Sequence, residues 1–150
     1  MSLSERLEKD IILALKAGNK DKLTVLRGLK SVLKYKQIDK GEKLTDEEVL
    51  SALSGSAKKC RESIEQFTKG NRTDLADKEA SELKIIQEYL PAQLDEAELT
   101  KLVETAIVET GADSLQKIGL IMKNVMPKVK GKADGKQINK IAAQLLSKPE

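Results

Sequence analysis

The sequence TDEEVLSALSGSAKKCRESIEQFTKG, residues 45–70, reads as one long helix from its start signal to its end. Thr45 and Glu48 match the capping box, in which each side chain accepts a hydrogen bond from the backbone N–H of the other residue. Apolar residues then recur every three or four positions and end before Gly70: Val49, Leu53, Ala57, Cys60, Ile64 and Phe67. This spacing is that of an amphipathic α-helix with one buried face.

Six further segments show the same spacing and predict helices within residues 3–17, 23–40, 74–90, 95–110, 114–126 and 134–146. The predicted N-caps are Asp74, Asp95, Ser114 and Asp134. The predicted stops are Gly18, Gly41, Gly111, Pro91 and Pro127. No segment alternates polar and apolar residues for long enough to predict a strand. We therefore predict an all-α protein, with an N-terminal lobe of long antiparallel helices (residues 1–90) and a small C-terminal three-helix lobe (residues 91–150).

Composition narrows the class of protein. Hydrophobic residues make up 39% of the 150 residues and charged residues 34%, which is enough for a core with a well-solvated surface. There is no apolar run of about 18 residues to span a membrane, and the polar start MSLSERLEKD does not resemble a secretory signal. The single cysteine excludes an internal disulfide and fits a reducing compartment. These features predict a cytoplasmic protein that does not associate with membranes.

Much catalytic chemistry is missing from this sequence. It contains no histidine, which removes the commonest general base and the Ser–His and Cys–His nucleophile systems. Cys60 is in step with the apolar face of its helix, so a core cysteine is favoured over a reactive thiol. Carboxylates such as Glu79 and Glu82 fit solvated ion pairs better than a catalytic pair. We predict no catalytic residue, no metal site and no cofactor.

Positive charge is concentrated near the C-terminus. From Leu115 onward there are eight lysines and two acids, a net charge of +6, which leaves −3 for the first 114 residues. Residues 126–140, MPKVKGKADGKQINK, carry five of these lysines and two glycines; we call them the basic segment. One hypothesis is a loop that needs a glycine at positive φ before a helix capped by Asp134. The other is a nest of backbone N–H groups and lysines that binds a phosphate.

Four pieces of the chain together resemble the YqeY family: RESIEQF (61–67), NRTDL (71–75), YLPAQL (89–94) and MPKVKGKADG (126–135). The likeness covers essentially the whole chain. The family is mainly bacterial and cytosolic. It is similar to the tail of the B subunit of the tRNA-dependent amidotransferase that converts Glu-tRNA(Gln) to Gln-tRNA(Gln). In that enzyme the tail lobe touches the tRNA near its elbow, while the chemistry lies in other domains.

The resemblance implies that the C-terminal lobe faces RNA. The candidate RNA-binding residues are Lys123, Lys128, Lys130, Gly131, Lys132, Asp134, Gly135, Lys136 and Lys140. The sequence departs from the family pattern at Leu120, where a lysine is expected, and at Cys60, where arginine is more usual. Both departures weaken a role in RNA binding for those two positions.

Three functions are compatible with the sequence. The first is a non-catalytic protein that binds tRNA or another structured RNA, or acts as a tRNA adaptor. The second is an interaction module that docks on an amidotransferase or another tRNA enzyme, through an exposed apolar stripe such as one near Tyr89. The third is a carbon–nitrogen ligase that uses glutamine as amide donor, and it rests on family association alone.

Overall fold

The computed structural model describes residues 1–147 and confirms the all-α fold class. It contains no strand in that range. Its seven α-helices are α1 (Leu3–Ala17), α2 (Lys20–Lys40), α3 (Asp46–Lys69), α4 (Thr73–Gln87), α5 (Glu96–Thr110), α6 (Ile118–Val125) and α7 (Gly135–Ser147). They form two compact units, Met1–Pro91 and Ala92–Glu150. Lys148 and Glu150, which were counted in the charge above, lie outside the described residues.

Local signals set most helix ends. Reciprocal capping boxes start α1 at Ser2, α3 at Thr45 and α5 at Asp95. Glycines in the left-handed conformation follow α1, α2 and α5, where their N–H groups donate to carbonyls of the last turn. These bonds satisfy backbone groups that a helix end leaves without partners.

Three predicted helix ends are wrong. Asp74 does not cap α4, because the helix begins at Thr73 and the Asp74 carboxylate instead pairs with the Arg72 guanidinium at 3.1 Å. The same helix ends at Gln87, before Pro91. Ser114 makes no capping bond, and a 3-10 turn precedes α6. By contrast, α6 ends at Val125, before Pro127, as predicted. Pro127 lies inside a second 3-10 turn, Met126–Val129, since its fixed φ suits the start of a helical turn.

The N-terminal unit packs its four helices around a leucine-rich core. Helices α3 and α4 make its most extensive contact and form an antiparallel hairpin across Asn71, which has a φ of 58°. The largest fully buried side chains of this unit are Leu7, Leu26, Val49 and Leu53. Each buried side chain of this size contributes about 1.5–3 kcal/mol of transfer free energy.

Tyr89 closes the end of this core rather than forming an exposed stripe. Its ring is only 3% exposed, and its hydroxyl donates a hydrogen bond to the Asp10 carboxylate. The Arg6 guanidinium lies 4.5 Å from the ring centroid and donates to the carbonyl of Glu88 at 3.0 Å. Burial and the bond to Asp10 raise the pKa of the Tyr89 hydroxyl above its ordinary value. Tyr89 itself is therefore not part of an exposed apolar stripe.

The C-terminal unit has a separate core formed by α5, α6 and α7. Its fully buried side chains include Leu99, Val103, Ile121, Val125 and Ile138. Val129, in the 3-10 turn after α6, is also fully buried. Two core residues, Val129 and Ile138, thus fix the chain on either side of the loop that joins α6 to α7.

No helix within residues 1–147 combines the length and the apolar character needed to cross a membrane.

Candidate nucleic-acid interface

The first part of the basic segment, residues 126–134, joins α6 to α7 and is held by backbone hydrogen bonds; we call it the basic loop. The Lys132 N–H donates to the Val129 carbonyl at 2.7 Å, which folds the loop into a tight turn. Gly131 lies within this turn at a φ of 76°, a conformation that costs an L-residue about 1–2 kcal/mol. Glycine is therefore the residue that this turn accommodates without strain.

A second set of bonds connects two of the sequence pieces that carry the family resemblance. The Gln93 amide nitrogen donates to the Gly131 carbonyl at 2.9 Å, and the Leu94 N–H donates to the Lys132 carbonyl at 3.0 Å. The YLPAQL piece thus contacts the MPKVKGKADG piece directly. The basic loop is fixed by the residues that lead into α5.

Asp134 caps α7. Its carboxylate accepts a hydrogen bond from the Lys136 N–H at 3.1 Å, and its own N–H donates to the Gln137 side-chain oxygen at 3.1 Å. The protein's own carboxylate therefore occupies a backbone donor that an external phosphate would need. This geometry favours the structural hypothesis for Asp134 and leaves the lysine side chains as the groups for an external anion.

The lysine side chains of this region are exposed: Lys123, Lys128, Lys130, Lys132, Lys136 and Lys140. Lys128 contacts an acid, because its ammonium lies 3.6 Å from the Glu109 carboxylate and donates to Asn124 at 3.2 Å. The bond from Asn124 and the charge of Lys128 hold the pKa of Glu109 below its usual range. Among residues 1–147, the ion pairs within 4.0 Å do not involve Lys123, Lys132 or Lys140.

Charge is polarised within the C-terminal unit rather than uniformly positive. Residues 92–114, which include α5, carry six acids and one lysine, a net charge of −5. Residues 115–147 carry seven lysines and one acid, a net charge of +6. The net charge of +6 therefore belongs to the second half of this unit, and the described part of the unit as a whole is close to neutral. An anionic partner would have to contact the α6–α7 side.

A small pocket lies between α5 and α7. It has a volume of about 160 Å³, and its lining includes Glu96, Gln137 and Lys140. Small-molecule sites are usually roughly 300 Å³ or larger, so this pocket is small for a cofactor.

The structure also brings together three residues that the sequence analysis treated separately. The Cys60 thiol and the carboxylates of Glu79 and Glu82 have ligand atoms within 4.8 Å of one another. Cys60 is buried as predicted, at 6% exposure, and both glutamates are half-buried rather than fully solvated. The sequence spacing is consistent with this proximity: Cys60 and Glu82 are each eleven residues from Asn71, so they face each other when the two helices fold back on one another there. This spacing predicts a contact only if α3 and α4 are already known to pack as an antiparallel hairpin.

Taken together, the fold and the site define an all-α protein of two units whose second unit carries an exposed basic loop. The chain belongs to the family of Yqey-like proteins, whose family model matches residues 4–146. The family resemblance read from the sequence is thereby confirmed.

Curated relatives agree with this family. The chain is 40% identical over 107 residues to altered inheritance of mitochondria protein 41 of Lachancea thermotolerans, covering 69% of this chain and 57% of the relative. It is 29% identical over 139 residues to the protein of the same name in Pyrenophora tritici-repentis, covering 90% of this chain and 76% of the relative. It is 32% identical over 90 residues to an uncharacterised protein of Schizosaccharomyces pombe, covering 60% of this chain and 73% of that protein.

These relatives correct one prediction. Cytoplasmic location was predicted from the single cysteine and the family resemblance, but the Lachancea and Pyrenophora relatives are fungal proteins named as mitochondrial. The cytoplasmic and bacterial assignment is therefore wrong by this comparison. A lone buried cysteine is compatible with more than one compartment, so it could not decide the location.

Proposed function

We propose that this protein is a non-catalytic RNA-binding protein or tRNA adaptor that grips structured RNA through its phosphate backbone. The observation that carries the proposal is a group of six exposed lysines between positions 123 and 140. One lies on α6, three on the loop that follows it and two on α7, and buried Val129 and Ile138 anchor the chain on either side of that loop. A fixed loop limits the conformational entropy lost when lysines order on a partner. The implied likeness to the amidotransferase tail supports RNA as the partner.

Backbone recognition fits better than recognition of unstacked bases. The three aromatic residues of the chain are Tyr35, Phe67 and Tyr89, all of which lie before residue 92. Single-stranded RNA is usually bound by stacking bases on aromatic rings. Lysines instead contact phosphates as point charges, which suits a folded RNA such as tRNA.

The test is fluorescence anisotropy of a labelled tRNA at several salt concentrations. Because the named relatives are mitochondrial, a mitochondrial tRNA is used beside a bacterial one. If three or four lysines each neutralise a phosphate, the affinity falls with salt at a log–log slope of roughly −3. The variant reverses four lysines of the basic segment to glutamate: Lys128, Lys130, Lys132 and Lys136.

The control variant makes the same change in net charge on the N-terminal unit, at four exposed lysines: Lys9, Lys20, Lys34 and Lys36. We expect the basic-segment variant to lose salt-sensitive binding and the control variant to retain most of it. Equal losses in both would mean that net charge alone attracts RNA. No binding of the wild type at low salt would refute the proposal.

A second candidate is a protein-interaction module, which exposed apolar side chains on the C-terminal unit favour. Val108 is 83% exposed, Leu115 51% and Leu120 48%. Leu120 is also the position where the family pattern has lysine. A stable partner captured by the wild type and lost in Leu120→Lys, with no RNA binding, would favour this function instead. Nothing in residues 1–147 specifically favours the carbon–nitrogen ligase hypothesis, and we do not propose it.

A further inference from the structure

The group formed by Cys60, Glu79 and Glu82 combines two kinds of metal ligand from two packed helices. Glu79 and Glu82 are three residues apart, so they lie on one face of α4, and that face meets Cys60 on α3. The thiol is 94% buried and is directed at the two carboxylates, with all three ligand atoms within 4.8 Å of one another. A cation held by all three residues would lie about 2.3 Å from the sulfur and 2.0–2.2 Å from each oxygen, so the ligand atoms would have to close on a common centre when it binds.

Burial and the neighbouring carboxylates hold the proton on the Cys60 thiol. Burial, the neighbouring Glu79 and then Glu82 raise the pKa of the Cys60 thiol to about 12. Burial and the charge of Glu79 also raise the pKa of the Glu82 carboxyl. Arg61 and Lys78 oppose these shifts only in part. The Cys60 thiol is therefore protonated near neutral pH, and a cation that binds to the sulfur has to displace its proton.

We propose that Cys60, Glu79 and Glu82 form a binding site for a divalent cation of the Zn²⁺ class. A thiolate ligand favours a borderline-soft cation over Mg²⁺ or Ca²⁺, which take oxygen ligands. Binding exchanges the thiol proton for a metal–sulfur bond, so one proton is released to solvent for each cation bound. Three protein ligands leave a fourth position for water. The site lies in the N-terminal unit and is independent of the proposed RNA contact.

The test is a titration of the full chain with Co²⁺, which substitutes for Zn²⁺ and absorbs visibly. Cys60 is the only cysteine of the chain, so a thiolate-to-cobalt charge-transfer band in the near ultraviolet can come only from it. We expect this band to saturate at one Co²⁺ per chain and to disappear when Zn²⁺ is added. Absence of the band at millimolar Co²⁺ would overturn the proposal.

Variants locate the ligands. Cys60→Ala is expected to abolish the band, and Glu79→Gln or Glu82→Gln to weaken Co²⁺ binding at least tenfold. Glu62→Gln, on the same helix as Cys60 but outside the group, is the matched control and is expected to bind as the wild type does. Far-UV circular dichroism checks that each variant is folded. Equal binding by the wild type and both glutamine variants would overturn the site even if a band were seen, since the carboxylates would then not be ligands.

Discussion

Replacing Gly131 with alanine is expected to destabilise the C-terminal unit, whereas the same replacement at Gly135 is not. Both glycines belong to the KGKADG piece and look equivalent in the sequence. Gly131 has a φ of 76°, where an added Cβ costs about 1–2 kcal/mol. Gly135 begins α7, and a Cβ there would lie 3.5 Å from the Met126 sulfur, an ordinary van der Waals contact. Alanine also favours a helix over glycine by up to about 1 kcal/mol.

The assay is amide hydrogen exchange followed by mass spectrometry, which resolves peptides from each unit. Optical signals from aromatic side chains are unsuitable because Tyr35, Phe67 and Tyr89 all lie in the N-terminal unit. A loss of about 1–2 kcal/mol accelerates exchange of the slowest amides by a factor of about 5–30. We expect this acceleration in C-terminal peptides of Gly131→Ala, and unchanged or slower exchange in Gly135→Ala.

Peptides of the N-terminal unit provide the internal control, since neither change touches that unit. Equal acceleration of exchange in both variants would refute the reasoning. It would mean that the added methyl group, and not the positive φ of Gly131, is what destabilises the unit. Unchanged exchange in Gly131→Ala would show that the turn can relax away from positive φ, which the bond from Gln93 to the Gly131 carbonyl opposes.

Three further predictions concern single side chains. Tyr89→Phe removes the hydroxyl that donates to Asp10, and we expect a loss of about 1.5–3 kcal/mol in the urea unfolding of the N-terminal unit; an unchanged midpoint would contradict this bond. The hydrogen bond from Lys40 lowers the pKa of the Glu48 carboxyl below 4.5. The ionised Glu48 carboxylate therefore stabilises the fold above about pH 4.5, and this contribution is lost as the pH falls through the lower pKa of the folded state. The melting temperature of Glu48→Gln is therefore expected to be lower than that of the wild type near neutral pH and similar to it in strong acid. A difference in melting temperature that does not change with pH would contradict this role of the Glu48 charge. Asp134→Asn keeps a good helix cap but removes a negative charge from the basic segment, so it is expected to bind tRNA several-fold more tightly in the anisotropy assay; weaker binding would make the carboxylate part of the RNA contact.

Local signals in the sequence were enough for most of the fold. Capping boxes such as Thr45 with Glu48, and glycine stops such as Gly41, act within one turn of the helix and can be read from neighbouring residues. The predicted Asp74 cap is wrong because the Asp74 carboxylate accepts a hydrogen bond from the Arg72 guanidinium, two residues before it. The end of α6 before Pro127 was predicted correctly, but the 3-10 turn that accommodates this proline was not. Propensity alone does not decide between such close alternatives.

Long-range partners explain what the sequence could not predict. Tyr89 lies at the boundary of the two units, but its burial depends on Asp10 and Arg6, about 80 positions earlier. The group of Cys60, Glu79 and Glu82 likewise depends on the pairing of α3 with α4. In both cases the sequence shows the residue types, but their contacts can be identified only from the tertiary fold.

Within the pieces that identify the family, some residues fix the structure, whereas the lysines proposed to meet RNA are other residues of the same pieces and of the helices beside them. Tyr89, Gln93, Gly131 and Asp134 each make a bond that fixes the structure: to α1, to the basic loop or to the start of α7. The exposed lysines depend on these bonds for their position, but a lysine side chain can reach a phosphate from several neighbouring positions. A relative could therefore keep the residues that fix the structure and lose RNA binding through a few lysine changes. It follows that recognition of the family argues strongly for the fold, whereas the proposed function must be tested on the lysines themselves.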